Sequence, residues 1–131
     1  MALAALSENR GSNKAAHDIK RNGYKIVAEE VTMKVNGKRI RADFVAIDSK
    51  GNYHIFEAKH GSGGLTKNQK GAGVFDMSSP SNTTQGIGGG TIKPSAGQQG
   101  KFEIATGNAG INEKIGSRGS VHDGTFHVLK Y

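Results

Sequence analysis

Residues 38–59 read KRIRADFVAIDSKGNYHIFEAK, and this stretch decides the fold because two strand patterns flank one tight turn. Residues 38–48 and 53–59 are rich in β-branched and aromatic side chains, while residues 49–52 have the glycine and polar residues of a turn. Upstream, Asn36-Gly37 favours a two-residue hairpin, since both central residues of that turn need positive φ. The sequence therefore predicts a three-stranded antiparallel meander.

Helical patterns lie on both sides of the meander. Residues 11–23 combine a serine cap at Ser12, an apolar stripe and a closing glycine. After the meander, Thr66 can begin a second helix, and residues 101–106 and 125–131 have strand patterns. The predicted order is helix, three-stranded antiparallel meander, helix, strand, which is an α/β core with a variable tail.

Length and composition predict one domain spanning residues 1–131. Within it we expect a core at about residues 8–106, a glycine-rich loop at 78–100 and a variable C-terminal region at 107–131. The chain has no cysteine, which excludes disulfides and thiolate metal sites, and no apolar run long enough to span a membrane. Its formal net charge of +7 favours a polyanionic partner such as nucleic acid, with an acidic protein as the alternative.

The end of the third predicted strand has an unusual charge pattern. Because side chains alternate along a strand, Glu57 and Lys59 project together, and the hairpin brings Asp43 of the preceding strand to the same depth. Two close carboxylates repel unless a cation lies between them, and Mg²⁺ prefers such oxygen ligands. The carbonyl of Ala58 is a possible third ligand, and Lys59 is placed to assist a water or to stabilise developing charge. The alternative is a surface salt bridge worth about 0–1 kcal/mol.

The stretch RIRADFVAID…YHIFEAKHGSGGLTKNQ resembles the core of the PD-(D/E)XK nuclease superfamily over roughly residues 8–75. Asp43 matches the motif aspartate, and Glu57, Ala58 and Lys59 match ExK. The resemblance implies a central mixed sheet flanked by helices, Mg²⁺ or Mn²⁺ as cofactor with Zn²⁺ the weaker alternative, and cleavage of DNA or, less often, RNA.

The continuation GLTKNQ is similar to restriction-endonuclease-like toxin domains of bacterial polymorphic and contact-dependent toxin systems. That similarity implies a secreted or delivered part of a larger effector, which acts in the target-cell cytoplasm. It also implies a cognate immunity protein as a partner.

Two positions depart from the family pattern. Ala42 replaces the proline before the motif aspartate, and Ser12 stands near the place where many members carry a metal-facing glutamate on the first helix. Glu8, Glu29 or Glu30 is the candidate to supply that carboxylate, and each is otherwise a solvated surface acid.

The second predicted helix begins with further candidates. Gln69 matches the family's glutamine after ExK, where its amide orients water or contacts phosphate, and Thr66 and Gln69 also form a capping-box pattern. Lys67 and Lys70 lie on the same first turns, where they either contact the phosphate backbone or are ordinary exposed lysines.

Two other functional classes remain open from the sequence. A ribonuclease would use either the same metal site or, without metal, the C-terminal residues His122, Asp123 and His127 as general acid and base. A non-catalytic basic module would bind nucleic acid without cleaving it. We expect His54, on the strand face opposite Glu57, to be packed or hydrogen-bonded rather than catalytic.

Overall fold

The computed structural model describes residues 10–83, 90–105 and 115–131, with side chains from residue 14 onwards. Two α-helices, one 3-10 turn and five strands make up these residues. In chain order they are α1 (Arg10–Arg21), β1 (Lys25–Val35), β2 (Lys38–Ile47), β3 (Tyr53–Lys59), α2 (Lys67–Ala72), the 3-10 turn Pro94–Ala96, β4 (Gln98–Ile104) and β5 (Val121–Lys130).

The predicted meander is confirmed. Strand β2 pairs antiparallel with β1 and with β3. Asn36 and Gly37 have φ values of 50° and 79°, as the hairpin between β1 and β2 requires. Local turn chemistry and period-two alternation were sufficient to locate these three strands.

Strands β4 and β5 close the meander into a barrel with the order β1-β2-β3-β5-β4. Strand β5 pairs in parallel with β3 over the whole length of β3, and it pairs antiparallel with β4. The ring is completed where Met33 and Lys34 of β1 pair with Ile104 and Glu103 of β4.

Local irregularities give the sheet the curvature that closure needs. Strand β1 has a register shift between Ile26 and Ala28, and Glu30 adopts a φ of 52°. A bulge of this kind increases the twist of a strand and bends it. On the other side of the ring, Gly100 of β4 pairs with Gly124 of β5. A Cβ added to Gly124 would lie 2.5 Å from the Cδ1 of Ile55.

The predicted fold class was wrong. The sequence order suggested an α/β core with a central mixed sheet between flanking helices, whereas the protein is mainly β with a closed five-stranded barrel. The physical reason is that β4 returns to β1 instead of leaving the sheet open, and the six-residue α2 is too short to form a covering layer.

The buried residues form two clusters, one on each face of the sheet. The larger fills the barrel and includes Val31, Ile55, Phe102 and Phe126, together with Ala72 of α2. The smaller lies outside the barrel, where α1 packs on β1, β2 and β3. Its members are Ala15, Ile19, Tyr24, Phe44, Ala46, Phe56, Ile92, Leu129 and Tyr131. The two helices therefore contact different clusters.

The helices differ from prediction mainly at their ends. Helix α1 begins at Arg10, so Ser12 lies inside it and is not its cap. Helix α2 begins after Thr66, which forms the predicted capping box with Gln69, and ends at Gly73 in the left-handed conformation. Among the helices described, neither is long and apolar enough to cross a membrane.

The predicted loop at 78–100 contains more order than the sequence suggested. Asn82 and Ile92 form a β-bridge, and β4 already begins at Gln98. Ser81 and Asn82 attach this region to β5: the Ser81 N–H donates to the Val128 carbonyl at 2.8 Å, and Asn82 exchanges hydrogen bonds with the backbone of Lys130. Residues 84–89 of this loop and residues 107–114 of the predicted C-terminal region lie outside the described part of the chain.

Candidate functional site

Asp43 and Glu57 are brought together at one end of the β2–β3 pair. The ladder pairs Phe44 with Phe56, so the next step of the same register places Asp43 opposite Glu57. The ladder bonds end there, and the Ala58 N–H instead donates to Oδ2 of Asp43 at 2.8 Å. The structure thus juxtaposes the two carboxylates that the hairpin pattern had paired.

Glu57 is the most unusual residue of this site. Its residue surface is 5% exposed, and Lys59 Nζ lies 3.1 Å from its Oε2 atom. Its other oxygen, Oε1, is buried and has no hydrogen-bond partner within the described residues. Because a buried polar atom without a partner costs about 1–3 kcal/mol, this arrangement needs an explanation beyond stability.

The two carboxylates have perturbed acidities. Burial, followed by the neighbouring Asp43 carboxylate, raises the pKa of Glu57 to about 7, although Lys59 and the Gln69 side chain oppose the shift. Burial also raises the pKa of Asp43 against the lowering effects of the Ala58 N–H, Lys59, Arg41 and His60. A pair of like charges in a partly dry setting favours a cation between them.

The capping box of α2 orients Gln69 towards Glu57. The Thr66 N–H donates to Oε1 of Gln69 at 2.9 Å, and the Gln69 N–H donates to Oγ1 of Thr66 at 3.1 Å. With its oxygen occupied, Gln69 has its amide NH₂ group left to donate, which agrees with its lowering effect on the pKa of Glu57. Gln69 is buried, and its helix-cap role uses the amide oxygen, which leaves the NH₂ end of the amide facing Glu57.

The backbone of Ala58 is placed to contribute to the same site. In an extended strand the N–H and C=O of one residue face the same neighbouring strand. Since the Ala58 N–H points to Asp43, its carbonyl also faces β2, beyond the last ladder pair. Two carboxylates and a carbonyl form an oxygen donor set of the type that Mg²⁺ and Mn²⁺ prefer over Zn²⁺. The residues present therefore fit a hard divalent cation.

Two of the candidates for a third carboxylate, Glu29 and Glu30, do not lie at this site. Glu29 is exposed on β1, and the carboxylate of Glu30 pairs with the guanidinium of Arg41. Within the ranges that the structure describes, no three His, Asp or Glu side chains are grouped to hold a metal. Glu8 lies outside those ranges. Any ligands beyond the Asp43–Glu57 pair and Ala58 would then be waters or substrate phosphate.

A basic groove adjoins the site between β2 and the start of α2. It has a volume of about 520 Å³ and is lined by polar and basic residues along with Ile40; these are Thr32, Arg39, Ile40, Arg41, Thr66, Lys67, Asn68 and Gln69. Of the two lysines predicted to contact nucleic acid, Lys67 lines the groove and Lys70 is exposed outside its lining.

The sequence reasoning missed Arg39 and Arg41 as groove residues. Their alternation in KRIR, two residues apart on one strand, was the available signal. Asn68 also fixes the groove wall, because its side-chain amide donates to the Arg39 carbonyl at 2.8 Å.

The C-terminal histidines do not form the acid–base pair considered from the sequence. The His122 ring contacts Tyr53 and Phe102, and its Nε2 lies 2.5 Å from the Ile115 carbonyl. The His127 ring instead stacks on Phe56 on the other face of β5. Residues five apart on a strand face opposite sides, so these two rings cannot act on one bond.

Comparisons of the chain with protein-family models, with curated proteins and with solved structures found no match. The PD-(D/E)XK resemblance, the antibacterial role, the delivery system and the immunity protein therefore stay predictions from the sequence.

Proposed function

We propose that this protein is a metal-dependent endonuclease that hydrolyses phosphodiester bonds at the Asp43–Glu57 site. The observation that carries the proposal is the buried Glu57 carboxylate, whose Oε1 atom has no partner among the described residues although Asp43, Lys59 and Gln69 surround it. A buried carboxyl group with a raised pKa, a second carboxylate beside it and an incompletely bonded oxygen is characteristic of an active site rather than of a core.

Each side chain has a distinct role in the proposed reaction. Asp43, Glu57 and the Ala58 carbonyl would hold Mg²⁺ or Mn²⁺, which when bound polarises a phosphoryl oxygen and lowers the pKa of a bound water. Lys59 supplies positive charge beside Glu57, where negative charge develops on the phosphate. Gln69 orients the Glu57 carboxylate through its amide, while its own position is fixed by Thr66.

The adjoining groove supplies the substrate-binding surface. Arg39, Arg41 and Lys67 line this groove together with Gln69. Contacts from such side chains to phosphates position a nucleic acid without reading its sequence. DNA remains the preferred substrate and RNA the alternative.

A digestion panel tests the proposal. Supercoiled plasmid, linear DNA and total tRNA are incubated with the wild type in Mg²⁺, in Mn²⁺ and in EDTA. We expect cleavage of at least one substrate that needs the metal and is lost in Glu57→Gln. Glu29→Gln, which changes an exposed glutamate on β1, is the matched control and retains cleavage.

Three results would overturn the proposal. Wild type that binds nucleic acid but cuts nothing with either metal is a binding module. Cleavage that persists in EDTA requires another site. Equal cleavage by Glu57→Gln and Glu29→Gln, with both variants folded by circular dichroism, removes Glu57 from the chemistry.

A further inference from the structure

Four side chains form a continuous line of hydrogen bonds on the outer face of the sheet. Asp48 Oδ2 lies 2.9 Å from His54 Nε2, His54 Nδ1 lies 2.9 Å from His127 Nε2, and His127 Nδ1 lies 2.7 Å from the Ser81 hydroxyl. We call these four residues the histidine chain. His54, His127 and Ser81 are buried, and the Asp48 side chain is 28% exposed.

The ionised Asp48 carboxylate fixes the direction of its bond to His54, and when His54 is neutral the directions of the other two bonds follow. Against the effect of burial, His54 and the backbone N–H groups of Asn52 and Lys50 lower the pKa of Asp48 to about 2. An ionised carboxylate only accepts, so His54 Nε2 must donate, and neutral His54 then accepts at Nδ1. His127 consequently donates from Nε2 and accepts the Ser81 hydroxyl proton at Nδ1.

One added proton can be accommodated without breaking the line. With one proton added, His54 carries protons on both ring nitrogens and donates from Nδ1 to His127 Nε2, while neutral His127 carries its proton on Nδ1 and donates to Ser81. All three hydrogen bonds remain, but the His54–His127 and His127–Ser81 bonds are reversed in direction. A second proton would place two N–H groups against each other across 2.9 Å between nearly parallel rings, which cannot form a hydrogen bond.

The residues around the two histidine rings disfavour a second proton on the histidine chain. Burial, followed by the nearby His54, lowers the pKa of His127 to about 3. The ring of Tyr24, before β1, packs edge-on against His54, and Phe56 of β3 stacks on His127. Helix α1 contributes the Asp18 carboxylate to the same face, where it accepts from the Tyr131 hydroxyl.

Among the described residues, the histidine chain is exposed to solvent at its Asp48 end. An open pocket of about 260 Å³ borders Asp48 and His54. Its other charged lining residue among those described is Asp123, whose carboxylate pairs with Lys101 Nζ at 2.6 Å. The Asp48 and His54 end of the histidine chain therefore borders the pocket, whereas Ser81 lies at the buried end.

Ser81, at the buried end of the histidine chain, is hydrogen-bonded to two other segments of the protein. The Ser81 N–H donates to the Val128 carbonyl at 2.8 Å, and the Ser81 carbonyl accepts from the Lys93 N–H at 2.7 Å. Ser81 thereby joins β5 to the segment that carries Lys93. Loss of the His127–Ser81 hydrogen bond would therefore weaken the attachment of Ser81 to β5.

We propose that the histidine chain is a proton relay, which takes up one proton by reversing its inner hydrogen bonds and releases Ser81 from β5 when a second proton arrives. It couples acidification to the attachment of Ser81 and Asn82 to β5. It lies on the face of β3 opposite Glu57 and does not depend on the proposed nuclease activity.

Nitrogen-15 NMR of the histidine rings tests the relay directly. At pH 7 we expect both His54 and His127 to carry their proton on Nε2. On acidification the ring nitrogens of both residues shift together in one step, while the Ser81 amide stays protected from hydrogen exchange. Below that step, protection of the Ser81 and Lys93 amides falls about tenfold per pH unit after correction for intrinsic exchange, which is the slope for uptake of one proton.

Matched variants separate the relay from general acid unfolding. His54→Gln removes the shared titration of the rings, and His122→Gln, on the opposite face, retains it. Asp48→Asn is the second variant, since it keeps the pocket side chain but removes the anion, and it lowers the pH of the first step. The Ala105 amide, which bonds to Thr32 elsewhere in the barrel, keeps its protection while that of Ser81 falls.

The proposal is wrong if His127 carries its neutral proton on Nδ1, or if the two rings titrate independently. It is also wrong if Ser81 stays protected when both rings are charged. Loss of the Ala105 and Ser81 protection at one pH with one slope would indicate global unfolding and would equally overturn it.

Discussion

Glu57 and His54 are three residues apart on β3, and they belong to two buried polar sites on opposite faces of the sheet. On the inner face, one oxygen of Glu57 has no partner in the described part of the chain, and Asp43 adds a second carboxylate. On the outer face, both nitrogens of His54 and both of His127 are hydrogen-bonded. The incompletely bonded site suits an external ligand, whereas the fully bonded chain suits an internal role.

The contributions of Glu57 and His127 to folding stability also depend on pH with opposite signs. The folded pKa of Glu57, about 7, exceeds its ordinary 4.5, so its contribution to stability is complete below pH 4.5 and is lost as pH rises through 7. The folded pKa of His127, about 3, is below its ordinary 6.5, so its contribution is present above pH 6.5 and is lost as pH falls towards 3.

The largest expected effect is on catalysis at the inner site. Lys59→Met keeps most of the aliphatic stem but removes the charge beside Glu57, so we expect the cleavage rate to fall by about 10²–10³. Single-turnover plasmid nicking measures this loss. Lys25→Met, at an exposed lysine on β1, is the control and should cut at the wild-type rate. Equal rates for the two variants would remove Lys59 from the mechanism.

A substitution in the histidine chain should lower the stability of the protein and leave catalysis unchanged. His127→Ala leaves a cavity beside Phe56 and removes the partners of His54 and Ser81, so we expect the free energy of unfolding to fall by about 2–4 kcal/mol. Urea denaturation measures it, with exposed His17→Ala as the near-neutral control. A folded His127→Ala protein that no longer cleaves would show that the two faces are not independent.

Removing the charge of Glu57 should stabilise the protein while abolishing activity. Glu57→Gln relieves the repulsion with Asp43, so at pH 8 we expect about 1–2 kcal/mol of added stability, or a Tm higher by about 3–6 °C. The gain should shrink as the pH is lowered to 4.5, where the wild-type carboxyl is protonated. A gain that is independent of pH would refute the assigned acidity of Glu57.

The smallest expected effect concerns the support of Gln69. Thr66→Ala removes the hydroxyl half of the capping box and should cost about 1 kcal/mol, with Thr66→Ser restoring it. Thermal melts of the three proteins measure the difference. If Thr66→Ala and Thr66→Ser melt together, the cap does not determine the position of Gln69.

Short-range patterns explain what could be predicted from the sequence. The Asn36-Gly37 turn and the alternation in residues 53–59 set the register that places Asp43 opposite Glu57. The Thr66–Gln69 capping box follows from a spacing of three residues. In each case the interacting residues are joined by a few residues of regular structure, so their geometry is local.

Long-range pairings explain what could not be predicted. Barrel closure rests on two residue pairs between β1 and β4, and no local pattern marks either of them. His54 and His127 meet only because β3 and β5 are parallel neighbours, 73 residues apart in the chain. Ser81 joins them from a glycine-rich segment that reads as a loop.

Manganese binding tests the central claim most directly, because it asks whether Glu57 is kept incompletely bonded for a cation. Isothermal titration of Mn²⁺ into wild type, Glu57→Gln and Glu29→Gln compares the three proteins under one condition. We predict saturable binding to wild type and Glu29→Gln, and binding at least about tenfold weaker, or about 1.4 kcal/mol, for Glu57→Gln. No binding to wild type, or equal binding to all three proteins, would contradict the account.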